Sequence, residues 1–184
     1  MLWRGARSKR KILRKTHAFL LLPILCLALG AGGGILFCRL GAPALEPGLF
    51  RMDPAAAAGG FFAAAARCAR FPAFLLLISF GSFAPFCSCA AMFVRGFLLS
   101  YALCSLGAVL DGSGFLCALA MELVPGILLL PYAVMLAGWA ISRRSRALDR
   151  QAAAVALVTA GIVLIAAALD CVLTPWLTGF FSFV

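Results

Sequence analysis

From Phe71 to Leu110 the chain runs for about 40 residues with one charge, Arg95, set in "MFVRGFLLSYAL". A helix that crosses a bilayer needs about 20 apolar residues, so this run is two spans long. Pro85 and the small residues of "GSFAPFCSC" lie near its middle, and the sequence predicts a division there into spans over 71–84 and 86–110. Composition excludes a water-soluble alternative. Hydrophobic residues make up 65% of the chain, charged residues 12%, and the mean hydropathy is +1.09. A soluble domain is about half apolar and a quarter charged, so too few polar residues are present to cover a surface facing water.

The remaining charges sit between further apolar runs. Arg4 to Lys15 holds seven basic residues and no acid, and is read as a basic cytoplasmic arm over 1–16. "HAFLLLPILCLALGAGGGILFC" follows as a first span over 17–38. Ala42 and Ala44 would suit a signal-peptide cleavage site, but the apolar run exceeds the usual h-region, so the helix is read as uncleaved. Residues 39–70, rich in Pro, Gly and Ala, are expected to form an extracytoplasmic loop, with Phe61–Arg70 a short interfacial helix at its end. "DGSG" at Asp111–Gly114 is a turn. A fourth span covers 115–141, a basic loop 142–150, and a fifth span 151–173, before an aromatic tail suited to an interface. The net charge of +10 is therefore distributed in loops rather than as a nucleic-acid-binding face. Placing both basic clusters on the cytoplasmic side requires an even number of spans between them, which four satisfy. The expected fold is all-α, a single transmembrane helical domain of five spans over residues 17–184, with the N-terminus cytoplasmic and the C-terminus extracytoplasmic.

Motifs for chemistry are few. The eight cysteines include no C-x-x-C pair and the one histidine, His17, lies on the basic arm, so they read as small packing residues rather than metal ligands. "GAGGG" at Gly30–Gly34 follows no strand and lacks the Lys-Ser/Thr of a phosphate loop. Together with the Gly96, Ser100, Cys104 stripe it reads as a helix-packing surface. No G-x-S-x-G, H-E-x-x-H or facing aspartate pair is present, and neither an enzyme nor a cofactor or metal is expected.

Three ionisable residues fall within spans: Arg95, Glu122 and Asp170. Such residues are costly in hydrocarbon and are functional candidates for that reason. Counting residues from the span ends puts Arg95 nearer the cytoplasmic face and both acids nearer the outer one, against a buried triad. Arg95 is expected to snorkel toward cytoplasmic phosphates or to meet freed backbone carbonyls. Glu122, before Pro125 and Pro131, could hydrogen-bond locally. Asp170 could pair with Arg39, Arg67 or Arg70.

Phe93, Arg95, Gly96 and Phe97 in the third span, Val124 and Pro125 in the fourth, and Asp170, Thr174 and Pro175 in the last follow in an order that resembles the stage II sporulation protein M family. The family's F-L-K-G-F here has Arg for Lys, its E-x-x-x-[ST]-P has Asp for Glu, and Gly126 and Ile127 stand where polar residues often follow the proline. The resemblance covers about Phe19 to Leu177. It implies a polytopic scaffold of the bacterial plasma membrane, septal during sporulation. It further implies recruitment of peptidoglycan-remodelling enzymes, a cell-wall amidase and a lytic transglycosylase, in engulfment. The outer face, Arg39–Arg70 with the Asp170–Pro175 end, is the expected partner surface, and membrane lipids surround the rest. The rival expectation is a transporter or permease subunit in which Arg95 and Glu122 line a polar path.

Overall fold

In a computed structural model of the protein, the backbone is described for residues 3–41, 60–109, 112–143 and 150–181, and side chains for 19–41, 60–105, 126–143 and 150–173. The described residues form five α-helices: α1 (Trp3–Leu40), α2 (Phe61–Ser79), α3 (Ala84–Val109), α4 (Gly112–Ser142) and α5 (Arg150–Phe181). No strand occurs among them. Four apolar stretches are long enough to cross a membrane: Phe19–Leu40, Phe61–Ser79, Ala84–Ser105 and Arg150–Leu173. α4, with 31 residues, carries a further apolar stretch over Gly126–Ser142.

Burial is distributed as a membrane-embedded protein requires. The interior is made of small residues, including Ala64, Ala84, Ala137, Ala140, Ala166 and Ala167, with Ser79, Ser88, Ser100 and Ser105. Large apolar side chains face outward, among them Leu29, Phe62, Leu77, Phe83, Phe86 and Leu157. In water such a surface would aggregate. In lipid, apolar side chains gain nothing by hiding from the solvent, and small interior residues let backbones approach. Three of these serines return their hydroxyls to their own helices, Ser79 to the Leu76 carbonyl, Ser100 to that of Gly96 and Ser105 to that of Ala102, whereas Ser88 Oγ meets no hydrogen-bond partner among the described residues.

The basic arm and the first span are one helix, since after Gly5 the arm holds no glycine or proline and is mostly Lys, Arg, Leu and Ala of good helix propensity. Pro23 sits inside α1, buried. It has no N–H for the Phe19 carbonyl one turn earlier. α4 comes up against that carbonyl at Gly138, where a Cβ would lie 3.2 Å from the Phe19 oxygen. The missing side chain admits the contact.

The largest departure from the sequence reading is α2. It begins at Phe61, ten residues before the expected span, and ends at Ser79 rather than 84, so the stretch assigned to a loop and an interfacial helix is the first half of a membrane-length helix. The Gly60 carbonyl accepts from the Ala63 and Ala64 amides to start it, and the alanine run propagates it. The helix continues through Pro72, which is fully buried in the bundle. The reversal comes at Phe80–Phe83, held by Gly81 N–H to the Ile78 carbonyl at 2.9 Å and Ala84 N–H to the Gly81 carbonyl at 3.1 Å. Pro85 falls in the first turn of α3, where its lacking N–H costs no helix bond, so it starts a helix rather than dividing one. At the other end, α5 extends to Phe181, so residues 174–181 continue the helix instead of forming a separate tail.

α1 and α3 form the most extensive pairing, followed by α4 with α5. One cluster of buried side chains joins α2, α3 and α4 through Leu75, Met92 and Ala137, with Leu20 and Leu27 of α1 packed on it. A second joins α2 to α5 through Cys68, Val163 and Ala166. The bundle end bearing Phe80, Arg143 and Arg150 is called the basic end below, and the end bearing Leu40 and Phe61 the far end.

Candidate functional site: the charged face of the second helix

The motif residues of α3 divide between two tasks. Gly96 lies where α1 and α3 cross: a Cβ there would overlap the Leu27 carbonyl and come within 3.1 Å of the Ala31 nitrogen. Gly30 and Gly34 of α1 meet α3 in the same way. A Cβ on Gly30 would overlap the Phe93 carbonyl, 2.8 Å from its carbon, and one on Gly34 would strike the Phe97 carbonyl and Ser100 Oγ. Gly30 opposing Phe93 and Gly34 opposing Phe97 makes the pair parallel. The glycine Cα–H bonds that replace those Cβ vectors point at carbonyl oxygens, a weak hydrogen-bond geometry common at helix interfaces. Toward the far end, Phe37, Phe97 and Tyr101 close the crossing, with ring centroids 5.7–6.1 Å apart. Gly96 is thus a packing residue, and the Phe97 ring packs on Phe37 and Tyr101, whereas Phe93 offers its backbone to the crossing and leaves its side chain exposed.

Arg95 turns the other way, toward α2. Its guanidinium lies 5.7 Å from the centre of the Phe71 ring and the side chain is half-buried. Eleven residues separate it from the start of α3, a rise of about 16 Å at 1.5 Å per residue. That is near the middle of a hydrocarbon layer about 30 Å thick. Within the bundle, an aromatic face on the neighbouring helix lies against the cation. Such contacts are worth about 2 kcal/mol or more when desolvated.

One turn along α2, Arg67 Nη2 donates to Asp170 Oδ2 of α5 at 3.1 Å. The acid is held deeply, its side chain 10% exposed, while that of Arg67 is 44% exposed. Of the three arginines offered as partners for Asp170, the structure selects Arg67. Arg70, three residues further on, is exposed and forms no ion pair with any described residue. It lies nine residues from the Ser79 end of α2, about 13 Å by helical rise. No group of three or more His, Cys, Asp or Glu that could hold a metal is formed among the described residues. The helical backbone includes Glu122, Pro125, Thr174 and Pro175, whose side chains lie outside the described set. Among the described residues, α2 meets both Arg95 and Asp170: the Phe71 ring faces the Arg95 guanidinium and Arg67 pairs with Asp170.

Two features escaped the sequence reading. Arg67 and Arg70 were placed on a short interfacial helix over Phe61–Arg70; the absence of any glycine or proline from Phe61 to Phe71 was the available signal that this helix runs on into the next span. Arg143 was assigned to a solvated basic loop, but it is 9% exposed and its guanidinium sits 4.9 Å from the ring centres of both Phe80 and Trp139. The spacing of four from Trp139 was the signal there. Comparison with protein-family models, with curated proteins and with solved structures finds no match.

Proposed function

We propose that the protein is a scaffold of the bacterial plasma membrane that holds peptidoglycan-remodelling enzymes, a cell-wall amidase and a lytic transglycosylase, at the septal membrane during engulfment in endospore formation. It has no catalysis of its own in this reading. The basic end is cytoplasmic and the far end faces the wall, following the placement of Arg4–Lys15 and of the arginines at 143–150. The observation that carries the proposal is the Arg67–Asp170 bridge. It clasps the first half of α2 to the last third of α5, making one surface from the two stretches where a wall-side partner would dock. Arg70 is exposed beside it. A cation at that depth is costly facing lipid and is relieved by a carboxylate on a partner's membrane anchor. The residues Phe93, Arg95, Gly96, Phe97, Asp170, Thr174 and Pro175, in the order of the sporulation family's motifs, supply the enzyme class.

The test is deletion of the gene in a sporulating host, with imaging of the engulfing septum and tagged wall hydrolases. Engulfment should stall with the hydrolases dispersed, and Arg70→Gln should fail to restore them while accumulating normally in the membrane. Normal engulfment with normal hydrolase placement in the deletion strain would overturn the proposal. Reporters fused after Arg150 and at Val184 should report inside and outside respectively.

A further inference from the structure

The outer side of the α4–α5 pair carries a groove of about 290 Å³, lined from α4 by Tyr132, Met135 and Trp139 and from α5 by Ala154, Val155 and Val158. That is close to the lower limit of ligand-sized pockets. Its deep end is sealed by a hydroxyl pair. Thr159 Oγ1 donates to the Val155 carbonyl at 2.7 Å, so its one proton is committed and the Tyr132 hydroxyl, 2.7 Å away, is the donor to it. Both polar groups are thereby satisfied by protein, and the walls that remain are hydrocarbon and indole. From Tyr132 to Trp139 the groove follows α4 for about 10 Å of helical rise. That is most of the depth of one leaflet, measured from the basic end.

Beyond the lining, toward the basic end, each of the two helices carries an arginine. One turn beyond Trp139 on α4 comes Arg143, its guanidinium 4.9 Å from the Trp139 ring centre. One turn before Ala154 on α5 comes Arg150, which is exposed. The two stripes that line the groove each end in an arginine. We propose that the groove is a binding site for an anionic phospholipid of the leaflet at the basic end, with one acyl chain between α4 and α5. Arg150 contacts the phosphate, and Arg143, behind the indole, adds to the positive field. A free phosphate would leave the apolar walls uncovered, and a zwitterionic lipid would gain little from the arginines. The site stands independently of the scaffold proposal, since it uses neither α2 nor Asp170.

Trp139 reports on the site directly. In full-length protein carrying Trp3→Phe and Trp176→Phe, it is the single tryptophan. The protein is reconstituted in phosphatidylcholine vesicles containing a minor fraction of tail-brominated phosphatidylglycerol or tail-brominated phosphatidylcholine, and Trp139 quenching is titrated. Brominated phosphatidylglycerol should quench with an apparent affinity about fivefold greater per arginine engaged. Arg150→Gln should remove about that factor. Ala154→Leu, which fills the groove without changing charge, should abolish the saturable quenching, and Val158→Phe, at a half-exposed residue, repeats the test should Ala154→Leu disturb folding. Equal quenching by the two lipids overturns the proposal, as does a phosphatidylglycerol preference that survives in a folded groove-filling variant, because that would be attraction to the surface alone.

Discussion

Two glycines two residues apart in α1 should respond in opposite directions to the same added methyl group. Alanine favours a helix interior over glycine by about 1 kcal/mol where there is room for it. Gly32 has room: nothing lies within 4 Å of a Cβ built there, so Gly32→Ala should stabilise the protein by about that amount. At Gly30 the same atom would overlap the Phe93 carbonyl, with the carbonyl carbon at 2.8 Å and Phe93 Cα at 3.0 Å. All three are backbone atoms, so no side chain can rotate away, and α1 and α3 must separate along their whole crossing. Overpacking costs about 1–3 kcal/mol in cores that can adjust locally, and this site lies at the upper end of that range. Subtracting the propensity gain leaves Gly30→Ala destabilised by about 2 kcal/mol.

For a chain of this size each kcal/mol moves the melting midpoint by about 2–4 °C, so Gly30→Ala should lower it by about 4–8 °C and Gly32→Ala should raise it by about 2–4 °C. Thermal unfolding in detergent, followed by tryptophan fluorescence, measures both. Gly96→Ala should match Gly30→Ala, since its Cβ would strike the Leu27 carbonyl from the opposite side of the same crossing. The double variant should cost less than the sum of the singles, because helices already separated by one methyl group have room for the second. If Gly30→Ala and Gly32→Ala shift the midpoint in the same direction, the close parallel crossing of α1 and α3 is wrong.

The Arg67–Asp170 bridge should show an asymmetry set by its exposures of 44% and 10%. Arg67→Gln takes the charged donor from a buried carboxylate and should cost about 1–3 kcal/mol, whereas Asp170→Asn leaves an arginine that can move outward and should cost under about 1 kcal/mol. Denaturation in mixed micelles of each single variant checks the order. Tyr132→Phe removes the bond donated to Thr159 and should cost about 0.5–1.5 kcal/mol. Tyr132→Phe combined with Thr159→Val should be no less stable than Tyr132→Phe alone, as the double variant leaves no unmet acceptor; the same unfolding assay, run as a cycle, decides it.

What could be read from the chain without its structure was whatever depends on hydropathy and on size. Long apolar runs fixed the helical membrane architecture, and the spacing of Gly30, Gly34, Gly96 and Ser100 marked the contact surfaces, because small residues have one main use between membrane helices. Partner choice was beyond reach. Nothing local to Asp170 distinguishes Arg67 from Arg39 or Arg70; the register of α2 against α5 makes that selection. The Arg95 contact was out of reach for a related reason: counting residues gives its depth, but the ring it meets, Phe71, stands on the next helix.

The misreading of α2 follows from treating each segment as though it met lipid alone. Its eight Phe, Leu and Ile residues each favour insertion by about 0.3–0.6 kcal/mol, while an arginine at the centre of a span opposes it by about 2.5–3.5 kcal/mol. On those terms the helix offsets one central arginine but not two, and a reader of the sequence rightly hesitates to place it in the membrane. The bundle changes the terms. Asp170 takes the charge of Arg67, Pro72 is buried among neighbouring helices, and Ala64 and Cys68 pack where lipid would otherwise have been. α2 is thus a membrane helix by virtue of its neighbours, above all α5. Arg70, on the exposed side of this least self-sufficient helix, forms no ion pair with any described residue, so its charge is the one these neighbours do least to offset.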